Sequence, residues 1–336
     1  MFCPTSIIGL RFGKEGLYCL LYEQPKNKNT YPLCKKHTHY IMPKVDVEEF
    51  KRWIVSEIKR FVREDSGNRL EKLDGSPIFE APLVGFVAGG DPIFYKLKEV
   101  IGEFHLTPYE AMSEVANKRS VSVPLEEELG VVSYVLPISK KTRKENARMK
   151  NMPSERWAHT RLFGEEFNRK LEAHIVSVLE EKKYFAVAPE LEADLFQILF
   201  DKKVGWASNW SQRHVAFAAN LGTFGLSDGL ITERGKAHRV GSIIVNQRLD
   251  SPQRTSNIHR DCRFFRKGGC KKCVKRCPSG AITEEGHDKN KCREFVFKQH
   301  PIIKEKYSID IYACGLCQTA VPCDKKIPIK KREEIG

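Results

Sequence analysis

The stretch CRFFRKGGCKKCVKRCP, residues 262–278, read together with CGLCQTAVPC, residues 314–323, decides how this chain folds and what it can do. With Cys292 between them, these two segments hold eight of the eleven cysteines. The step Cys270-x2-Cys273-x3-Cys277-Pro278 matches two-cluster ferredoxins. There, three cysteines of a run hold one [4Fe–4S] cube and the fourth, followed by proline, crosses to the other. Zinc would use closed sets of four ligands, commonly paired CxxC hooks, and would not explain the Cys-Pro step. Secreted disulfides would call for a short chain with an export signal, and MFCPTSIIGLRFGKEG lacks the basic start and unbroken apolar run of one.

The run departs from the usual spacing at one place. Counting back from Cys270, the next ligand position is Lys267, which cannot bind iron, so Cys262 must be delivered by a loop through Gly268-Gly269. Cube one is therefore assigned to Cys262, Cys270, Cys273 and the distal Cys323, and cube two to Cys277, Cys292, Cys314 and Cys317. Two alternatives stay open: Cys292 as a buried structural thiol, and a three-cysteine, [3Fe–4S]-type first site without Cys262. Cys3, Cys19 and Cys34 have no partner spacing and read as ordinary reduced thiols.

A 336-residue chain accommodates one large domain and a smaller one, and its 41% hydrophobic content supports a core. No apolar stretch reaches membrane-span length, so no membrane partner is expected, and reduced cysteines suit a reducing cytoplasm. The formal charge is +14, and two oxidised cubes with their thiolates would lower it to roughly +10. That surplus suits a polyanion such as RNA, although an ordinary soluble surface explains it as well. Basic residues concentrate at Lys140–Lys150, Arg263–Arg276 and Lys325–Arg332. The last two flank the cysteines and would offset the negative cubes.

Apolar residues at Val47, Phe50, Trp53, Ile54, Ile58 and Phe61 predict a helix over Val47–Arg63. Pro82–Ala88, Gly130–Pro137, Tyr184–Pro189 and Val240–Val245 read as strands. Thr107-Pro108-Tyr109-Glu110 is a capping box, so a helix starts there. Gly164–Lys183 and Ser211–Asn220 read as helices, the second ending in the turn Leu221–Gly225. Alternating elements imply a layered α/β domain over residues 1–254. The polar stretch Asp250–Arg260 then leads to a ferredoxin-like domain, residues 255–336, holding the two [4Fe–4S] clusters.

The cysteine layout, with Pro-Ser-Gly-Ala-Ile after Cys277, an isolated Lys-Cys292-Arg and Cys314-Gly-Leu-Cys317-Gln, resembles that of the epoxyqueuosine reductase family. So do Gln212-Arg213-His214-Val215-Ala216, the turn Leu221–Gly225, and Gly241-Ser242. The resemblance covers roughly Gly130 to Pro328. It implies a cobalamin-binding α/β domain related to reductive dehalogenases, with two clusters that reduce the cobalt. It further implies reduction of epoxyqueuosine to queuosine in tRNA, and a small electron donor such as flavodoxin or ferredoxin. The family's proton-donating aspartate falls at Trp206 in this chain, within Gly205-Trp206-Ala207-Ser208-Asn209-Trp210.

The resemblance nominates Arg213, His214, Gly222, Thr223, Phe224, Gly225, Gly241 and Ser242 for cofactor binding. The ordinary structural readings are a glycine turn after a helix, a satisfied histidine and core tryptophans at Trp157, Trp206 and Trp210. Candidate acids in place of the aspartate are Tyr134, Asp201 and Asp228. A [4Fe–4S] pair alone moves single electrons, so the larger domain must supply the chemistry if the chain is an enzyme. The alternatives are a ferredoxin-type electron carrier without corrinoid, and a corrinoid-dependent reductase acting on another substrate.

Overall fold

A computed structural model of the chain describes residues 46–329, together with strands β1 (Phe12–Gly13) and β2 (Gly16–Leu17), which pair antiparallel. Cys3, Cys19 and Cys34, and Lys330–Arg332 of the third basic run, lie outside the described residues.

Helix α1 (Val47–Glu64) starts where the Asp46 carboxylate accepts the Glu49 N–H at 2.9 Å. Its buried residues Phe50, Ile54, Ile58 and Phe61 recur at helical spacing on one face. Strand β3 (Leu83–Ala88) leads through Gly89-Gly90 into α2 (Ile93–Ile101). Helix α3 (Pro108–Arg119) carries the expected capping box, with Thr107 and Glu110 exchanging hydrogen bonds. Strand β4 (Gly130–Pro137) is buried along its whole length, and α4 (Lys140–Arg148) follows it.

Helix α5 (Glu155–Glu181) begins nine residues before the expected Gly164, because the Ser154 hydroxyl caps the Trp157 N–H at 3.2 Å. Gly164 marks a close approach rather than a start: a Cβ there would lie 2.8 Å from the Phe79 ring. Next come β5 (Ala186–Val187), shorter than expected, the hairpin β6 (Ile198–Asp201) and β7 (Gly205–Ser208), and α6 (Gln212–Ala218). A second hairpin, β8 (Gly222–Phe224) and β9 (Leu230–Thr232), precedes β10 (His238–Val245). Beyond it lie α7 (Arg263–Lys267), α8 (Lys272–Arg276) and α9 (Lys289–Tyr307).

The fold is mixed α/β, as expected. Its centre is a four-stranded sheet in the order β3-β4-β10-β5, antiparallel throughout. Both faces are covered, so alternate residues of a strand enter different cores. Val132, Tyr134 and Leu136 pack with α1 and α5, while Val131 and Ile244 pack with α2, α3 and α6. Segment 250–260 has no helix or strand but is pinned. Arg254 clamps Asp91 at 2.7 and 2.8 Å, and the Phe224 N–H donates to the Ile258 carbonyl at 2.7 Å. No helix among the described residues is long and apolar enough to cross a membrane.

Candidate redox site

Cys262, Cys270, Cys273 and Cys323, distant in sequence, line one small cavity together with Lys236, Leu226 and Ile231. Two devices bring the distal members in. The Thr223 hydroxyl donates to Asp261 Oδ2 and accepts the Asp261 N–H, both at 3.0 Å, which fixes the loop entering Cys262. The Lys236 N–H donates to the Cys323 carbonyl at 2.9 Å. Beside it, Gly235 has φ +82°, and a Cβ there would lie 2.2 Å from the Asp324 carbonyl oxygen, so the turn into β10 presses on the Cys323-Asp324 backbone.

Cys277, Cys292, Cys314 and Cys317 form a second neighbourhood. Burial pushes the Cys292 thiol up to about 11, with Cys317 and Cys277 adding to the shift. Burial likewise raises Cys314 to about 12, reinforced by Cys317, Cys292 and Cys277. Arg276 ties this group together, donating from Nε to the Leu316 carbonyl at 3.2 Å and from Nη1 to the Met149 carbonyl at 2.6 Å. Burial and mutual proximity penalise the thiolate forms of these cysteines, and iron would replace their protons and neutralise that charge. Among the described residues no three His, Cys, Asp or Glu side chains form a ready single-ion site. The chemistry of the donor set suits iron–sulfur ligation.

Lys236 lines the first cysteine cavity. Its ammonium is 4% exposed as a residue and donates to the Ser227 hydroxyl at 2.8 Å. Burial pushes its pKa down, but the thiols of Cys323, Cys317, Cys273 and Cys262 outweigh that and hold it above the usual lysine value.

A much larger cavity, about 600 Å³, opens beside the second cysteine group. Ile93, Leu97 and Ile101 of α2, Phe196, and Phe217 of α6 form an apolar wall, with Trp206 of β7 on the same rim. Arg213, Asp228 and Lys289 make its polar end. Arg213 Nη1 donates to the Asp228 carbonyl at 2.6 Å, and His287 Nδ1 meets the Asp228 carboxylate at 3.1 Å. Desolvation lowers the Arg213 pKa and Asp228, Cys317 and Cys292 oppose it, although the side chain as a whole is exposed along the cavity wall. Lys289 of the polar end lies one turn of α9 before Cys292, which sets the second cysteine group near that end. His214 is pushed down to about 3 by burial, then by Arg213, and is neutral; its Nδ1 pairs with the Ser211 hydroxyl at 2.7 Å. An apolar wall with a polar end would accept one face of a flat macrocycle with polar edges, such as a corrinoid.

Arg213 also lines a second, polar cavity of about 300 Å³ with Glu165, Glu190, Gln212, His238 and Arg239. Burial, then Glu165, raises Glu190 to about 7. Nearby Glu172, fully buried, is raised well above the carboxylate range by burial, and its Oε2 has no hydrogen-bond partner among the described residues. It ends a chain in which Trp210 Nε1 donates to Ser242 Oγ at 3.0 Å, Ser242 to Gln212 Oε1 at 2.7 Å, and Gln212 Nε2 to Glu172 at 3.3 Å.

The structure therefore divides the nominated cofactor residues. Arg213, His214 and Phe224 line the large cavity, and Gly225 borders the first cysteine cavity. Gly222 permits the β8–β9 approach, a Cβ lying 2.4 Å from the Ile231 carbonyl oxygen. Thr223 clamps Asp261, Gly241 makes room for the Tyr134 hydroxyl, and Ser242 belongs to the buried chain. Of the candidate acids, only Asp228 lines the cavity, and His287, Arg213 and Lys289 outweigh burial to hold it below its usual value. Tyr134 is fully buried with its hydroxyl on Asn168 Oδ1 at 3.0 Å. Asp201 caps the β6–β7 turn by accepting the Lys203 and Val204 N–H groups. Trp206 reaches the cavity; Trp210 and Trp157 are core residues. Lys289, Lys236 and Glu190 carried no sequence signal of this kind.

No protein-family model matches the chain. Curated proteins do: an epoxyqueuosine reductase from Bacillus cereus is 31% identical over 157 residues, covering 44% of this chain and 39% of that protein. Over that stretch the chain is similar to the epoxyqueuosine reductases. The Bacillus anthracis epoxyqueuosine reductase is 30% identical over 155 residues, with the same shares of 44% and 39%. The match thus spans about two fifths of those epoxyqueuosine reductases. Among solved structures, an epoxyqueuosine reductase from Bacillus subtilis aligns with TM-score 0.45 and 16% identity, covering 84% of this chain and 68% of that one. An epoxyqueuosine reductase with a tRNA-Tyr epoxyqueuosine-modified stem loop gives 0.44 and 17%, covering 85% and 68%. A catabolic reductive dehalogenase gives 0.42 and 13%, covering 61% and 27%. These superpositions are too loose to carry residues across.

Proposed function

We propose that the protein is a corrinoid-dependent iron–sulfur reductase of the epoxyqueuosine reductase type, converting epoxyqueuosine to queuosine in tRNA. The observation that carries this reading is the position of Arg213, which lines the 600 Å³ cavity and has Cys292 and Cys317 as electrostatic neighbours. Cys262, Cys270, Cys273 and Cys323 would hold one [4Fe–4S] cluster, and Cys277, Cys292, Cys314 and Cys317 the other, nearer the cavity. The division at residue 254/255 gives most cavity walls to the first domain, with Ile258, His259 and Lys289 coming from the second.

When bound, the corrinoid supplies a strongly reducing, nucleophilic cobalt, and the clusters supply its electrons one at a time. The chain's own residues do the rest. The α2 and α6 wall excludes water, and Arg213 and Lys289 present positive charge to the polar edge of the occupant. Neutral His214 adds bulk without charge. Trp206 stands on the cavity rim where the resemblance puts the family's aspartate, so proton supply would fall to groups that hold a proton near neutrality; Glu190, in the adjoining polar cavity that Arg213 shares, does so at its carboxyl. A reducing cytoplasm suits reduced cysteines, with flavodoxin or ferredoxin as the electron donor.

The test is conversion of epoxyqueuosine-containing tRNA by the anaerobically loaded protein, with nucleosides read by mass spectrometry. Queuosine formation is expected. No queuosine from fully loaded protein would rule out this substrate.

A further inference from the structure

An open groove of about 530 Å³ is lined by Trp206 and the α9 residues Asn290, Arg293, Glu294, Phe297, Lys298 and Pro301, with Glu294 ion-paired to Lys298. Trp206, Arg293 and Phe297 within it continue into a stack with Tyr312 and Arg161 beyond it. The Arg293 guanidinium sits 4.4 Å from the Trp206 ring centre and 4.6 Å from that of Phe297. Phe297 meets Tyr312 at 4.7 Å, and Arg161 covers Tyr312 at 5.5 Å. Phe297 is 42% exposed and Trp206 36% exposed, so the ladder is not a core cluster. The hairpin extends it: Phe200, 55% exposed, pairs in register with Trp206 and packs edge-on against it at 5.5 Å.

We propose that this groove binds unpaired nucleotides of an RNA loop. Exposed aromatic rings interleaved with guanidinium planes are what base faces stack on, and no sequence of bases is demanded. The charge is complementary: α9 carries Lys289, Lys291, Arg293, Lys298, Lys304 and Lys306 against Glu294 and Glu305. An RNA duplex has no free base faces to offer this ladder, and an acidic peptide would use the charges but leave the rings bare. Trp206 lines both this groove and the large cavity. A base stacked on the ladder therefore holds its loop neighbour at the cavity mouth. The inference deepens the proposed tRNA reaction and rests on it for the identity of the RNA, but not for the binding itself.

The test is fluorescence anisotropy of the cluster-loaded protein with a labelled, unmodified RNA stem–loop of anticodon-arm length and with a blunt duplex of the same stem. Arg293→Ala and Phe297→Ala, both at exposed positions, should weaken stem–loop binding about ten-fold or more and leave iron content unchanged. Phe297→Trp should retain it. The duplex should bind more weakly than the stem–loop and be insensitive to these changes. Equal binding of stem–loop by wild type and both variants overturns the groove while leaving the reductase reading intact. So does equal affinity for duplex and stem–loop. Loss of binding in the variants of a protein that makes no queuosine upholds the groove and sinks only the substrate.

Discussion

The indole of Trp157 occupies the space that a Cβ on Gly315 would need, its ring atoms lying 2.0–2.3 Å from that position. Gly315 also has φ +66°, a backbone region that disfavours side chains. Trp157 near the start of α5 thus buttresses the hook between Cys314 and Cys317. Gly315→Ala should displace that hook and remove one cluster, lowering bound iron from about eight to about four atoms per chain. Iron and sulfide analysis checks this; full iron in a folded variant would contradict it.

Lys236 puts a buried positive charge beside the first cysteine group, held by the Ser227 hydroxyl at 2.8 Å. Lys236→Met keeps the bulk and removes the charge, which makes electron uptake harder. The midpoint potential of at least one cluster should fall by on the order of 50–100 mV. Redox titration followed by EPR measures it, and an unchanged potential would place the charge too far away.

Glu190 gives the protein a pH signature. Its folded value of about 7 lies above the usual 4.5, so the folded state binds more protons than the unfolded one between these limits. Stability should therefore be greatest below about 4.5 for this group and decline as pH rises through 7, by about 1–3 kcal/mol in all. Glu190→Gln should flatten that part of the profile and raise the melting temperature at pH 8 relative to wild type. Parallel melting profiles for the two proteins would remove Glu190 as the proton-holding group.

Gly241 tests the division of roles among the nominated residues. A Cβ there would lie 2.3 Å from the Tyr134 hydroxyl and 2.9 Å from Glu172 Oε1. Gly241→Ala should cost about 1–3 kcal/mol or more in stability through overpacking, while folded molecules bind a corrinoid as wild type does. Unchanged stability with lost corrinoid binding would return Gly241 to the cofactor site.

The parts of the molecule legible in the sequence are those with short-range physics. The Thr107 capping box, the periodic apolar face of α1 and the β-branched run of β4 each fix a local conformation, and each is present. The cysteine spacing likewise points to two groups of four. What escaped reading depends on tertiary approach. Ile198–Ser208 forms a small hairpin with exposed apolar side chains, and helix α9 contains Pro301, which argues against a helix locally. Glu172 and Glu190 carry no local signal of their raised carboxyls, which come from tertiary packing around them. Gly222 and Gly241 carry the signature of a ligand approach, but the approaching atoms belong to the protein itself.

The central claim is that the cavity beside Cys292 and Cys317 is where electrons leave the clusters for a corrinoid. The most direct measurement is anaerobic EPR of the iron-reconstituted protein with added cob(II)alamin. The account predicts a cobalt signal that loses the nitrogen splitting of its axial base, because a dedicated site takes the cofactor base-off. A cobalt signal identical to that of the free cofactor, with both clusters present, would contradict it and leave the chain an electron carrier.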